Sequence, residues 1–210
     1  MFPDIVRDDV FRLETARLWL RWPRASDAAA VHRYCSKWEV AQFTARIPHP
    51  YPRGSAERFI YASREGNSSG RDLTLMMTPI KGRRDPMGAV SLELRGKDRL
   101  TLGYALAPEA WGKGYASEAV EAMVEAGFSL TPAVEINASV RVENPASRRV
   151  LEKAGLLFVA TGPQGAPARG GLVNCDRLQI TRAAWAARRA LTHAVPASAA
   201  AATEMHHEIP

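Results

Sequence analysis

Residues 102–117 of the chain read Leu102-Gly103-Tyr104-Ala105-Leu106-Ala107-Pro108-Glu109-Ala110-Trp111-Gly112-Lys113-Gly114-Tyr115-Ala116-Ser117. This stretch predicts a β-strand, a short loop with two glycines, and the start of an α-helix. Such a loop exposes successive backbone N–H groups beside a helix N-terminus, where the helix dipole also favours anions. Glycine has no Cβ, so Gly112 and Gly114 would let the backbone approach a phosphate. The segment therefore predicts a cradle for a pyrophosphate group.

Three other interpretations of the loop compete with the cradle. A Walker A loop requires Ser or Thr after Gly-Lys, whereas Gly114 follows Lys113 here, so that interpretation fails. A dinucleotide-binding fingerprint would place a third glycine where Ser117 stands, and it would be fed by a βαβ unit rather than by the hairpin predicted here. Glu135 does stand about where that fingerprint expects an acid. The loop could also be a tight strand–helix turn without a ligand.

A second informative segment follows downstream and reads Val140-Arg141-Val142-Glu143-Asn144-Pro145-Ala146-Ser147-Arg148-Arg149-Val150-Leu151-Glu152-Lys153-Ala154-Gly155-Leu156. Asn144 before Pro145 predicts a helix start, with Asn as the N-cap and Pro at the first helical position. The spacing of Asn144, Ser147 and Leu151 places them on one face of that helix.

Taken together, the two segments resemble the GCN5-related N-acetyltransferase (GNAT) superfamily, and most of all its Rim-type branch of ribosomal-protein N-terminal acetyltransferases. The opening Glu14-Thr15-Ala16-Arg17-Leu18 is also similar to that branch. The resemblance spans about residues 12–182. It implies acetyl-CoA as co-substrate and direct transfer of an acetyl group to a primary amine, either a protein N-terminal α-amine or a small molecule, in a ternary complex.

The resemblance also implies where acetyl-CoA would lie. The backbone of residues 112–117 would hold the pyrophosphate, and the end of the preceding strand would pair with the pantetheine amides. Asn144 would face the pantetheine. The implied cofactor-binding residues are Tyr104, Ala105, Leu106, Gly112, Lys113, Gly114, Tyr115, Ala116, Ser117, Asn144, Ser147, Val150 and Lys153. Trp111 departs from the usual Gln or Arg of the superfamily, as it does in the Rim-type branch.

The expected catalytic hydroxyl is Ser147. Many members of the superfamily carry a tyrosine where Leu151 stands, placed to protonate the departing thiolate. Ser147 lies one turn earlier on the same face and is the hydroxyl left in range to donate to the thiolate. The alternative is that Ser147 is a helix-start hydroxyl that bonds the cap.

Glu93 is the candidate general base. It lies in Ser91-Leu92-Glu93-Leu94, and an acid among apolar neighbours is where a raised pKa would arise. The alternative is an outward-facing strand glutamate. Glu135 and Asp176 are weaker candidates. The two cysteines and the histidines show no metal-ligand spacing, so no metal site is expected.

The rest of the pattern predicts one α+β domain, a single GNAT-like unit with a mixed, mostly antiparallel twisted sheet flanked by helices. The strongest hairpin signal joins residues 87–94 to residues 100–106. Ser55 resembles an N-cap, residues 44–54 predict a wide loop that should select the acceptor, and residues 162–174 predict a Gly/Pro loop. We expect the domain to span residues 1–193 and an Ala/Ser-rich, disordered tail to span residues 194–210.

The composition of the chain limits the classes of partner that we expect it to bind. The chain has 210 residues, of which 46% are hydrophobic and 24% charged, and its net charge of +6 favours anionic partners. No secretory h-region and no long apolar span occurs in the sequence, so we expect a cytoplasmic protein without a membrane partner, as a monomer or homodimer. A catalytically silent CoA-binding sensor is an alternative. A nucleic-acid-binding module is less favoured because the basic residues are scattered.

Overall fold

An eight-stranded sheet forms the centre of the molecule, in the order β1-β2-β3-β4-β5-β6-β8-β7. The computed structural model describes residues 1–82 and 84–194. The strands are β1 (Arg12–Glu14), β2 (Leu18–Arg21), β3 (Asp72–Pro79), β4 (Gly88–Arg95), β5 (Arg99–Leu106), β6 (Glu135–Arg141), β7 (Leu157–Ala166) and β8 (Gly171–Thr181). Neighbouring strands are antiparallel except for β5 and β6, which are parallel. The predicted α+β fold with a mixed, mostly antiparallel sheet is confirmed.

Helices cover both faces of this sheet. They are α1 (Ala28–Cys35), α2 (Trp38–Ala41), α3 (Ser55–Ser68), α4 (Tyr115–Leu130), α5 (Pro145–Lys153) and α6 (Arg182–Ala194). On one face, which we call the α4 face, the predicted apolar stripe Val120, Met123, Val124 and Phe128 is buried against the sheet. On the opposite face, the α1 face, residues of α1, α2 and α3 pack with Met76 and Ala89.

The sheet opens between β5 and β6. Their parallel pairing covers residues 99–101 of β5 and residues 135–137 of β6, and no further pair joins them. Beyond that point β5 continues with β4 while β6 continues with β8. We call the gap between residues 103–106 of β5 and residues 138–141 of β6 the wedge. It lies at the strand end from which the glycine loop departs.

The predicted loop at residues 162–174 is wrong. Instead, β7 and β8 extend through it as a long hairpin, in which Pro163 pairs with Asn174 and Ala166 with Gly171. The reason is position: β7 is an edge strand, and proline is tolerated at a sheet edge. Glycine and proline in sequence predict a loop, because the pattern does not indicate whether a strand lies at the edge of a sheet.

Helix boundaries also differ from the sequence prediction. Helix α3 begins at Ser55, and Gly54, with φ of 73°, holds the N-cap position expected of Ser55. The short helix α2 and the last helix α6 were not predicted. Helix α6 is fixed at its start by Arg182, which donates to the carbonyls of Phe128 and Ala133 at 2.8 Å each and also to that of Thr131.

Among residues 1–82 and 84–194, no helix combines the length and the apolar character needed to cross a membrane. Ala194 is the last residue of α6. The remainder of the expected tail, residues 195–210, lies outside the described residues, so the boundary between domain and tail stays a prediction.

Candidate functional site

The glycine loop presents free amide groups at the start of α4. Gly112 and Gly114 have φ of 72° and 78°, and Gly114 occupies the N-cap position. A Cβ at Gly112 would meet nothing within 4 Å, so this side of the loop is open. The backbone amides of residues 115–117 form the first turn of the helix, and among the described residues they have no hydrogen-bond acceptor. Free amides at a helix N-terminus are groups that can bind an anion such as a phosphate.

A brace from the N-terminal part of the chain holds the same turn. The Glu118 carboxylate accepts hydrogen bonds from the Thr15 hydroxyl at 2.6 Å and from the Arg17 backbone and side chain at 2.7 Å each. Arg17 also donates to the Lys113 carbonyl at 2.8 Å. Burial alone would raise the pKa of Glu118, but the hydrogen bonds from Thr15 and Arg17 outweigh it and lower that pKa. Arg17 thus neutralises an acid beside the cradle.

The sequence did not predict this brace. The segment that contains Thr15 and Arg17 is similar to a family opening, but nothing in it indicates a partner on α4. A second missed contact is the Trp111 indole, which donates to the Leu106 carbonyl at 2.8 Å. Lys113 is expected near the phosphates. Its ammonium donates a hydrogen bond to the Glu109 carbonyl at 2.8 Å, and its side chain is exposed.

The backbone of Tyr104 faces the wedge. The Ala107 amide donates to the Met87 carbonyl at 2.7 Å, which makes this pair hydrogen-bonded across β4 and β5. Since hydrogen-bonded and non-hydrogen-bonded pairs alternate in an antiparallel ladder, Ala105 bonds towards β4 and Tyr104 points its N–H and C=O the other way. An extended chain lying in the wedge could pair with Tyr104. At the end of the predicted strand, the Leu106 carbonyl already accepts a hydrogen bond from the Trp111 indole.

The Tyr104 side chain meets Ser147 beside the wedge. The two hydroxyl oxygens are 2.7 Å apart, and burial of the phenol raises the pKa of Tyr104 to about 12, against the bond to Ser147, which lowers it. The cap role considered for Ser147 is performed by another residue: the Asn144 Oδ1 accepts the Ser147 backbone N–H at 3.0 Å. The Ser147 hydroxyl is therefore bonded to Tyr104 and not to the helix cap.

The other expected residues of α5 lie on the same side of the molecule. Asn144 is half-buried, and among the described residues its side-chain amide nitrogen has no acceptor. Val150 packs partly against the core, Lys153 is exposed, and Leu151 is fully buried. Leu151 thus serves the core at the position where the superfamily often has a tyrosine.

The structure does not give Glu93 the apolar surroundings expected of a base. Its carboxylate is held by the Arg46 guanidinium in a two-pronged contact at 2.7 and 3.0 Å, and it also pairs with Arg95. The strand register places Glu93 opposite Thr101, away from the wedge and on the sheet face opposite to the Tyr104 side chain. The reason for choosing Glu93 is therefore removed.

The two weaker candidates for a base are also engaged. Glu135 accepts hydrogen bonds from Asn137 at 2.9 Å and Gln179 at 2.6 Å and pairs with Arg99. Asp176 accepts from Thr161 at 2.6 Å and pairs with Arg148 at 2.7 Å. These contacts with Thr161 and Arg148 hold the pKa of Asp176 below its usual value.

On the α1 face, the predicted wide loop crosses the sheet. We call residues 42–54, between α2 and α3, the strap. Its carbonyls accept hydrogen bonds from β6 and from the turn between β7 and β8: Gln42 from Arg141 at 2.9 Å, Ala45 from the Ala168 amide at 3.0 Å, and Ile47 from Arg169. The strap therefore lies over the α1 face of the sheet beside the wedge, and we call the region between the strap and this face the cleft.

Among the described residues, no group of three or more His, Cys, Asp and Glu side chains could hold a metal ion. Both cysteines are free and buried. Burial raises the pKa of Cys35 to about 12, so its thiol stays protonated at neutral pH.

Comparisons with known proteins agree with this geometry. Residues 17–157 match the family described as "Acetyltransferase (GNAT) domain". The chain is 29% identical over 155 residues to the "Uncharacterized N-acetyltransferase p20" of Bacillus licheniformis, covering 69% of this chain and 84% of the relative. The family match over residues 17–157 includes the glycine loop, Tyr104 and Ser147.

Solved structures share the fold. An acetyltransferase of the GNAT family from Bacillus anthracis superposes with a TM-score of 0.70 at 23% identity, covering 81% of this chain and 98% of that one. Mycobacterium smegmatis RimJ, solved in complex with CoA-disulfide, superposes with a TM-score of 0.72 at 21% identity, covering 85% of this chain and 93% of that one.

Proposed function

Because the chain belongs to the GNAT acetyltransferase family and is an acetyl-CoA-dependent N-acetyltransferase, we propose that it moves the acetyl group directly to a primary amine. The acceptor is a protein N-terminal α-amine or a small-molecule amine, and both substrates are bound together in a ternary complex. The observation that carries this proposal is the Tyr104–Ser147 hydroxyl pair, which lies beside the wedge.

Acetyl-CoA would bind along these features. The pyrophosphate would accept hydrogen bonds from the first-turn amides of α4, aided by the glycines at 112 and 114. The pantetheine would lie in the wedge and pair with the Tyr104 backbone, with Asn144 and Val150 at its side. Lys113 and Lys153 are exposed cations that would lie near the phosphates. The thioester would then reach the floor of the cleft beneath the strap.

The transfer forms one bond and breaks one. The neutral amine nitrogen attacks the thioester carbonyl carbon, the C–N bond forms, the C–S bond breaks, and the thiolate of CoA leaves. Ser147 would donate its proton towards the thiolate sulfur. A phenol is a stronger acid than an aliphatic alcohol, so Tyr104 donates to the Ser147 oxygen and leaves the Ser147 proton free for the sulfur.

The amine does not need a strong base. A peptide α-amine has a pKa of about 7.7–8.0, so a useful fraction is neutral near neutral pH. After attack, the nitrogen would lose one of its two protons through water, and solvent would return a proton to Ser147, so that the products are the amide and the CoA thiol. We assign no side chain as the base, since Glu93, Glu135 and Asp176 are each engaged by cations and hydrogen bonds.

The test combines binding with turnover. Calorimetry should show acetyl-CoA binding, and free-thiol release should rise when a panel of peptides and small amines is supplied. Absence of binding at millimolar acetyl-CoA would contradict the proposal. Binding without turnover of any amine would favour a CoA-binding sensor instead.

Cytoplasmic location and the choice between monomer and homodimer stay predictions from the sequence. Cell fractionation tests the location, and sedimentation of the full chain tests the oligomeric state.

A further inference from the structure

The carboxylates on the floor of the cleft are all neutralised. The acids on the α1 face of strands β4 to β8 are Glu93 and Glu135, and Glu143 lies in the turn after β6. Glu93 pairs with Arg46 and Arg95, Glu135 with Arg99, and Glu143 with Arg141. The strap, residues 42–54, contains arginines and a histidine but no acidic residue. No acid of this group is left to bind a cationic substrate.

Two arginines of the same region have no acidic partner among the described residues. Arg169 lies in the turn between β7 and β8, and its guanidinium contacts the Ile47 carbonyl and the Trp38 ring, 5.5 Å from the ring centroid. Its Nε is buried and has no hydrogen-bond partner. Arg177 is exposed on β8, opposite Ser139 of β6 and on the sheet face of Gln179.

An unpaired guanidinium under a strap is costly unless something compensates it. A buried donor without an acceptor costs free energy, and a charge with no counter-ion in a partly desolvated cleft costs more. Guanidinium binds a carboxylate through two parallel hydrogen bonds, and the free edge of Arg169 can offer its unpartnered Nε to such a contact. Because this Nε is buried in the structure, such a contact would require the strap to move away from Arg169.

We propose that the acceptor carries a carboxylate close to its amine and that Arg169 binds this carboxylate, with Arg177 adding positive potential. This inference rests on the proposed function, because it names the chemistry of the acceptor in that reaction. The shared chemistry fits an acidic peptide N-terminus or a free amino acid. A polyamine fits less well, since the described carboxylates Glu93, Glu135 and Glu143 are each already paired with arginine.

The experiment compares acceptors that differ in charge alone. One arm uses the amidated peptides Ser-Glu-Glu-Ala and Ser-Gln-Gln-Ala, a second uses alanine and alaninamide, and a third uses spermidine. Each is assayed by free-thiol release with acetyl-CoA and the full-length enzyme. The variants are Arg169→Gln, the conservative Arg169→Lys, and Arg189→Gln as a control that removes one charge from α6 on the opposite face.

In at least one of the first two arms, we expect kcat/KM for the acceptor that carries a carboxylate to exceed that for its uncharged counterpart by about tenfold or more. The arm that shows this preference identifies the acceptor as a peptide or as a free amino acid. Arg169→Gln should abolish this preference through KM, Arg169→Lys should keep part of it, and Arg189→Gln should leave it unchanged.

Equal or better turnover of the uncharged acceptors or of spermidine would overturn the inference. Persistence of the acid preference in Arg169→Gln would also overturn it, and so would an equal loss for charged and uncharged acceptors, which indicates a structural role. Each of these three results leaves the proposed function standing if acetyl-CoA binds and amines are acetylated. Absence of acetyl-CoA binding would overturn the proposed function itself.

Discussion

At the scale of single residues, the Ser147 hydroxyl is available for chemistry because Asn144 caps its helix. The Asn144 side chain accepts the backbone N–H of Ser147, while the Ser147 hydroxyl lies 2.7 Å from the Tyr104 hydroxyl. Helix stability and the proposed proton donation are thus assigned to different side chains. This separation makes the two roles testable one at a time.

Replacing Ser147 by alanine should lower kcat by about ten- to a hundredfold, since the proton donor to the thiolate is lost. The dissociation constant of acetyl-CoA should change little, because the phosphate contacts lie on α4. Saturation kinetics and calorimetry measure the two effects. The matched change is Asn144→Ala, which should lower the free energy of unfolding by about 1 kcal/mol through loss of the cap. Full activity of a Ser147→Ala enzyme would rule out the catalytic role.

Tyr104→Phe should lower kcat by about tenfold, because the phenol no longer fixes the Ser147 hydroxyl or polarises it. Acetyl-CoA binding through the Tyr104 backbone should persist. Tyr61→Phe is the control, since Tyr61 is 74% exposed and lies on α3. Unchanged kcat in Tyr104→Phe would show that the hydroxyl pair is structural.

The same phenol predicts a change of stability with pH. Its pKa is about 12 in the folded protein and about 10 in an unfolded chain. The folded state therefore favours the neutral phenol, and this stabilisation is complete below pH ~10 and is lost as the pH rises towards ~12. Thermal melts should show a steeper fall over this range for the wild type than for Tyr104→Phe. Parallel curves would contradict the buried position of the hydroxyl.

At the scale of elements, the start of α4 depends on the turn between β1 and β2. Arg17 contacts the Glu118 carboxylate, the Lys113 carbonyl and the Tyr115 ring, at 4.7 Å from the ring centroid. Without Arg17, the Glu118 charge would be left uncompensated beside the phosphate site. The brace therefore serves both the shape and the charge of the cradle.

Arg17→Ala should raise the dissociation constant of acetyl-CoA by about tenfold, through loss of the brace and repulsion from Glu118. Adding Glu118→Gln removes the repelling charge, so the double variant should bind more tightly than Arg17→Ala alone. Calorimetry of the single and double variants measures this coupling. Strictly additive effects would show that the two side chains do not act together on the cradle.

At the scale of the whole molecule, part of the positive charge behind the net +6 is used in contacts within the fold. Arg21 pairs with the buried Asp27, Arg182 donates to carbonyls at the end of α4, and Arg148 pairs with Asp176.

Binding to mixed-sequence DNA or RNA should therefore be weak, with a dissociation constant above about 1 μM at physiological salt, and should fall steeply as salt rises. Fluorescence anisotropy at several salt concentrations measures it. Tight binding that CoA does not displace would instead support a nucleic-acid-binding module.

Sequence alone determined the features that depend on contiguous residues. The glycine loop before α4, the hairpin of β4 and β5, and the Asn144 cap before Pro145 are each encoded by a short pattern with its own local energetics. The resemblance that joins these patterns indicated the fold and the co-substrate. These features needed no knowledge of which distant segments meet.

Tertiary structure decided which side chains meet across the chain. Tyr104 and Ser147 are 43 residues apart in sequence, Arg46 and Glu93 are 47 apart, and Arg17 and Glu118 are 101 apart. Strand alternation predicts on which face a residue lies, but it does not predict which segment packs there. The apolar sequence neighbours of Glu93 predict an apolar setting, whereas its carboxylate contacts the guanidiniums of Arg46 in the strap and Arg95 at the end of β4, because contacts depend on distance in space rather than along the chain.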